Sequence, residues 1–357
     1  MKDVRRPAGR GTPLAPPNRF ETLRIEPDDE HRDPFDEEGD RLPATVFLDD
    51  TSRSVVSEND SPDIPFRYSL NPYRGCEHGC SYCYARPSHE YLGFNAGFDF
   101  ETKIMVKREA PRLFREWLGR QNEATGPVIL SGVTDCYQPV ERRLRITRGC
   151  LEVAAEAGYP VSIITKNALV TRDLDLLREL AGRHLVHVSL SVTTLDAGLG
   201  RALEPRASRP AARLRAIAEL KSAGVPVRVM AAPIVPGLND SELPAILKAA
   251  ADAGAADAGY TYLRLPLAVA PIFLDWLQRN RPAQAAKIEA LVRAARGGRL
   301  NDSRFGRRMR GEGERAEQVR ATFKLFRRRH GLDQPLPEYD TSHFRPPRPE
   351  TGQLELF

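Results

Sequence analysis

Long hydrophobic runs are missing from this chain. The nearest approach, LPLAVAPIFL at residues 265–274, holds two prolines and lies between Arg264 and Asp275. A membrane helix needs about 20 apolar residues, so no span and no membrane partner are expected. The N-terminal MKDVRRPAGRGTPLAPP lacks an apolar core and a small-residue cleavage site. It does not read as a secretory signal, and a cytoplasmic location is expected. Cysteine is scarce, at five in 357 residues, and three of the five form one cluster. That is too few and too uneven for a disulfide framework, and in a reducing compartment clustered cysteines bind metal more often than they pair. Strong charge of one sign is absent as well, the net charge being +5. Its distribution says more than its size.

Residues 1–45 are rich in Pro, Arg, Asp and Glu and poor in apolar side chains. They cannot bury enough surface to offset chain entropy, so the segment is expected to be disordered. Between residues 46 and 290 six β-rich runs alternate with helical stretches. The runs are RYSLNPY (67–73), PVILSG (127–132), PVSIIT (160–165), LVHVSLSV (185–192), VPVRVMA (225–231) and AGYTYLR (258–264). The stretches between them include VERRLRITRGCLEVAAEA and RPAARLRAIAELKSAG, several of them closing on glycine. Repeated strand–helix units imply a parallel sheet with right-handed crossovers, and six of them imply a partial (β/α)6 barrel with functional loops at the strands' C-terminal ends. A doubly wound open sheet is the plainer alternative. Residues 291–335 read as a basic helical extension: positions 293–330 carry twelve Arg and one Lys against four acids, interleaved with Phe305, Phe323 and Phe326. Residues 336–357 read as a flexible tail.

The chemistry concentrates in RGCEHGCSYCYARP, residues 74–87, where Cys76, Cys80 and Cys83 are spaced Cys-x3-Cys-x2-Cys. Soft thiolates select zinc or iron–sulfur. A closed zinc site takes four ligands, usually as two knuckles, and the second knuckle is missing: Cys136 and Cys150 stand alone and His78 lies inside the loop. Three thiolates leave one position of a four-iron cluster open.

With an aromatic residue just before its third cysteine, the loop resembles the signature of the radical S-adenosylmethionine (SAM) superfamily. The resemblance implies a [4Fe–4S] cluster on Cys76, Cys80 and Cys83, with SAM chelating the open iron and cleaved to a 5′-deoxyadenosyl radical. It places Tyr82 against the adenine, assisted by the backbone at Tyr84. The flanking NPYRGCEHGCSYCYARP and the later VILSGVTDCYQPVE resemble the branch containing spore photoproduct lyase and its uncharacterised bacterial relatives, over about residues 65–265. In that likeness Ser131, Gly132, Thr134 and Asp135 meet the methionyl end of SAM, with Thr134 and Lys166 on its carboxylate. Ser189 comes near the ribose, with Ser191 as the register alternative, and Glu204 and Arg206 border the active site. The residues also fit plainer roles: a turn cap for Thr134 and Asp135, a solvated Lys166, a packed Ser189, an ion pair for Glu204 and Arg206. The branch departs at one point. The cysteine with which photoproduct lyase returns a hydrogen atom corresponds to Gly132, so Cys136, four residues on, is the candidate for that catalytic role. Cys150 and His187 read as core.

The basic extension could track phosphates with its phenylalanines stacking on bases. The terminal QLELF resembles the short motif by which bacterial repair proteins engage the DNA sliding clamp, through Gln353, Leu354, Leu356 and Phe357. The expected function is therefore radical SAM chemistry on nucleic acid, resembling DNA-lesion repair and fed by an electron donor such as flavodoxin or ferredoxin. Radical modification of RNA or protein is the first alternative. A non-enzymatic, metal-stabilised nucleic-acid-binding module is the second.

Overall fold

The computed structural model describes residues 9–21 and 44–347. Its strands are β1 (Val46–Asp49), β2 (Val56–Glu58), β3 (Tyr68–Leu70), β4 (Tyr73–Arg74), β5 (Lys103–Val106), β6 (Val128–Leu130), β7 (Val161–Thr165), β8 (Val186–Ser191), β9 (Val227–Ile234) and β10 (Asp257–Tyr262). The helices are α1 (Phe98–Thr102), α2 (Ala110–Leu118), α3 (Glu141–Leu144), α4 (Ile146–Ala157), α5 (Leu174–Gly182), α6 (Ala197–Leu203), α7 (Pro210–Ser222), α8 (Leu243–Asp252), α9 (Val269–Asn280), α10 (Pro282–Ala294) and α11 (Gly313–Arg329).

Strands β3, β6, β7, β8, β9 and β10 lie side by side in chain order, all parallel; four fall within their β-rich runs, while β9 runs three residues past its run and β10 starts one residue before its own. This is the partial barrel the alternation implies. Strand β2 pairs antiparallel on the outer edge of β3, so β2 and β10 are the outermost strands. A small second sheet, β1–β5–β4, leads directly into the cysteine loop. Alternate strand residues such as Val161, Ile163, Val186, Val188, Leu190, Val227 and Val229 are buried in the core shared with the helices. The residues between them, among them Ser162, Ser189 and Arg228, point to the inner face. Proline in the first turn opens α2, α7, α8 and α10, where its missing N–H costs nothing.

The stretch 140–157, expected as one helix, is two. Arg145 takes a left-handed φ of 54°, and the buried Glu141 carboxylate accepts the N–H groups of Ile146 and Thr147 at 3.1 Å each. Glu141 thus caps α4 from the preceding turn and ends α3. The basic extension is helical only in part. Beyond α10, residues 296–311 form an irregular strap, and α11 then packs on α8 and β10, with Phe323 4.7 Å from Tyr260 between ring centroids.

The tail expected to be flexible from residue 336 is laid along the barrel as far as residue 347. Asp333 bridges to Asp257, His187 Nε2 lies 2.8 Å from the Pro337 carbonyl, Tyr339 stacks on His187, and Arg345 N–H reaches the Ala157 carbonyl at 2.8 Å. The segment crosses the N-terminal ends of β10, β8 and β7, opposite the functional end. Gly158 is required there: its φ is +63°, and a Cβ would stand 2.3 Å from the His343 carbonyl oxygen. Most of the segment expected to be disordered lies outside the described residues, as does QLELF. Residues 9–21 are described, and they lie against the cysteine loop.

Candidate active site

The loop carrying Cys76, Cys80 and Cys83 leaves β4 and is held from every side. Glu77 N–H donates to Gln138 Oε1 (2.9 Å), and Glu77 Oε2 accepts Val140 N–H (2.7 Å). Ser81 N–H donates to Leu203 at the end of α6, and Cys76 N–H to Phe100 (2.9 Å). The fully buried Arg86 donates to the carbonyls of Cys80 (2.9 Å) and Gly97 (2.8 Å) and pairs with buried Glu101. Glu101 in turn accepts Gly11 N–H at 2.8 Å. Residues 9–14 pass so close that a Cβ on Gly11 would lie 1.7 Å from the Gly79 carbonyl oxygen. Gly79 itself turns at φ +65°, and a Cβ there would press on Glu101 Oε2 at 2.6 Å. Only glycine fits either position.

All three thiols are free, Cys76 and Cys80 buried and Cys83 partly so. Burial pushes each above the ordinary thiol range. Lys166 opposes this at Cys80 and Cys83, and the Asp135 N–H does so at Cys76. Among the described residues no three His, Cys, Asp or Glu side chains gather tightly enough for a single ion.

The structure brings several of the expected residues together. Lys166, just past β7, puts Nζ 5.9 Å from the Tyr82 ring centroid. Among the described residues no acid pairs with it. Asp135 joins three elements: its carboxylate accepts Thr165 Oγ1 (2.7 Å) and Lys166 N–H (2.8 Å) and lies 3.4 Å from His78 Nδ1. Burial alone would raise this carboxyl, but the His78 ring, the Lys166 amide and the Thr165 hydroxyl outweigh it and hold Asp135 at about 2. Tyr84 is half exposed and donates its hydroxyl to the Gly132 carbonyl, tying the loop to the end of β6. Ser131, at that same strand end, takes a φ of 89°, a conformation non-glycine residues seldom adopt. Ser189 lies buried on β8, opposite Ile164 of β7, with Ser191 two residues on.

Four of the expected residues are engaged within the chain. Glu204 is saturated: it accepts the hydroxyls of Tyr82 and Thr193 (2.6 Å from the latter) and pairs with buried Arg213. Burial favours its neutral form, yet Arg213, Lys166, Thr193 and Tyr82 hold it at about 2. It is a strut beneath Tyr82. Arg206 is spent on Glu77 (2.9 Å) and Thr45 (3.3 Å). The Thr134 hydroxyl donates to the Tyr73 carbonyl at 3.1 Å. Cys136 is fully buried in the main core with Tyr73, Tyr137 and Cys150, its thiol raised by burial. The braces Glu77, Arg86, Glu101, Gln138 and Arg213 were not singled out by the sequence, although Glu77, Arg86 and Gln138 lie within its motifs. Their one signal was chemical: buried charges must be paired.

A six-stranded parallel barrel with three thiols on the loop after its first strand defines a class of metal-dependent barrel enzyme. The profile of the Radical SAM superfamily matches residues 70–250, and the chain belongs to that superfamily. An uncharacterised protein of Mycobacterium tuberculosis is 39% identical over 232 residues, 64% of this chain and 68% of the relative. One of Methanocaldococcus jannaschii is 28% identical over 176 residues, 49% and 63%. Among solved structures, a spore photoproduct lyase mutant with bound AdoMet and dinucleoside spore photoproduct aligns with a TM-score of 0.59 at 16% identity, over 80% of this chain and 79% of that one. That likeness is one of fold. Membership makes the protein an enzyme and implies SAM and an iron–sulfur cluster. The residues fit both groups. Buried thiols become ligands only where positive charge offsets the loss of their protons, and the unpaired Lys166 ammonium beside them suits a carboxylate.

Proposed function

We propose that the protein holds a [4Fe–4S] cluster on Cys76, Cys80 and Cys83, binds SAM beside it, and carries out radical chemistry on nucleic acid in a reaction of the DNA-lesion repair type. The observation that carries this reading is the pairing of three loop thiols with one ammonium in no direct ion pair among the described residues, Lys166, 5.9 Å from Tyr82. When bound, the cluster supplies the electron that splits SAM into methionine and a 5′-deoxyadenosyl radical. Lys166 takes the SAM carboxylate as a point charge. Tyr82, fixed by Glu204 and Arg213, offers a rigid apolar face to the adenine. Tyr84, anchored on Gly132, walls the loop off from solvent on the β6 side. The fold likeness to spore photoproduct lyase supports nucleic acid as substrate. The hydrogen-return step of that enzyme is not carried over, since Cys136 is sealed in the core. Flavodoxin or ferredoxin serves as electron donor in this reading, and the residues that would meet a sliding clamp lie outside the described ones.

The test is 5′-deoxyadenosine formation by anaerobically reconstituted, dithionite-reduced protein, with and without UV-irradiated DNA. Cleavage that disappears in Cys83→Ala and rises with damaged DNA is expected. No cleavage from a fully loaded cluster would sink the proposal.

A further inference from the structure

Among the described residues, three exposed hydrophobic side chains stand at the end of the barrel that bears the cysteine loop: Tyr84, Val133 and Phe305 are 51%, 40% and 59% exposed. Contacts tie Tyr84 to the strand end beside Val133 and, through Arg264 and Met309, to the strap that carries Phe305. Tyr84 reaches Gly132, next to Val133. Arg264, two residues beyond β10, stacks over Tyr84 at 5.4 Å and touches Met309 Sδ at 3.5 Å. Arg308 stacks over Phe305 at 4.7 Å. The strap that carries Phe305 is anchored, since Arg296 donates to the Leu263 carbonyl (2.5 Å) and Tyr262 N–H to that of Met309 (2.9 Å). Its other end crosses to the loop before β3: Arg308 pairs with Asp63 (2.7 Å), and Gly306 N–H donates to the same carboxylate (2.7 Å).

Charge then selects the partner. Residues 296–310 contain six arginines and one acid, Asp302. Arg304 and Arg307 are paired with Asp302 and Glu312. Arg299 and Arg310 are exposed, and among the described residues no acid pairs with either. Arg264 has none either, and its Nε is buried without a hydrogen-bond partner. The outer helix α11 is equally basic, but Phe323 and Phe326 are turned into the core. Within the described part of the basic extension, cations free of acids and an exposed ring therefore coincide on the strap.

We propose that Arg264, Arg299 and Arg310, with Phe305 as stacking platform, form a landing surface for single-stranded nucleic acid or a flipped-out nucleotide. Phosphates lie on the guanidiniums and a base on Phe305, beside Tyr84 and the cysteine loop. This rests on the nucleic-acid reading above and names the surface that executes it. A duplex presents its bases edge-on and stacked, whereas a ring at a recessed mouth needs an unstacked base.

The experiment uses the full reconstituted chain and fluorescence anisotropy with a labelled DNA oligonucleotide, single-stranded and as duplex, across a salt series. Single strand should bind more tightly than duplex. Phe305→Ala should weaken it by about fivefold to a hundredfold. Arg299→Glu with Arg310→Glu should lower the slope of log affinity against log salt by about 1.4, two phosphate contacts' worth. Lys324→Glu with Arg328→Glu, on α11, should change little. Loss confined to the α11 pair, or duplex preferred and indifferent to Phe305, would overturn the proposal. Displacement by polyglutamate as effective as by oligonucleotide would assign the surface to an acidic protein instead. 5′-Deoxyadenosine is measured in the same samples. Cleavage without nucleic-acid binding defeats this surface and leaves the radical chemistry standing, while binding without cleavage does the reverse.

Discussion

At Glu204 a carboxylate sits in full burial, where an unpaired charge would be very costly, and it is met by Tyr82, Thr193 and Arg213. Removing its charge leaves Arg213 uncompensated, so Glu204→Gln should cost roughly 3–5 kcal/mol, read as a lower urea midpoint. The paired carboxyls also set the acid limit. Asp135 and Glu204 titrate at about 2 in the fold against ordinary values of 3.8 and 4.5. Their contribution is fully present above about pH 4.5 and drains away as pH falls toward 2, because the unfolded chain takes up those protons first. Urea unfolding across that window should show it, and a stability unchanged from pH 5 to pH 2 would contradict it. Lys166 supports binding rather than folding. Lys166→Ala should weaken SAM binding by about ten- to a hundredfold, the worth of one charged hydrogen bond, with iron content unchanged.

Elements answer to partners far away in sequence. The helical pattern of residues 140–157 is continuous, yet Glu141 caps α4 from inside the stretch and breaks it at Arg145, an outcome that depends on Glu141 being buried against Tyr73 and Arg172. The segment after α11 has the composition of a linker, yet Phe344 meets Tyr159 edge-to-face with ring centroids 5.2 Å apart. Phe344→Ala should therefore cost about 3 kcal/mol. Gly158→Ala should cost about 2 kcal/mol from its left-handed φ alone, and more because the tail must move. Thermal denaturation of each variant measures both, and a midpoint like that of the parent would show the tail to be dispensable.

Across the molecule, the partial barrel has two sheet edges, β2 and β10, and the strap joins their flanking loops through Arg308 and Asp63. The pair is mostly shielded from solvent, with side-chain exposures of 15% and 11%. Asp63→Ala should release the strap and raise the rate of tryptic cleavage at Arg304, Arg307 and Arg310. Cleavage no faster than in the parent would mean that Arg296 and Met309 hold it unaided.

The alternation of β-rich and helical runs determined the barrel, because strand and helix periodicities are local and parallel strands admit few connections. The cysteine spacing determined the chemistry of the loop, since soft donors in one short segment admit few metals. Tertiary structure alone decided which polar residues remain open to a ligand. Glu204, Arg206 and Thr134 lie in suggestive motifs but are bound to Arg213, Glu77 and Tyr73, and Cys136 is buried. Lys166 and Arg264, equally plain in sequence, stand in no direct ion pair among the described residues. Burial and pairing arise from contacts between residues as much as 245 positions apart, as in Asp63 and Arg308, and no local pattern encodes them.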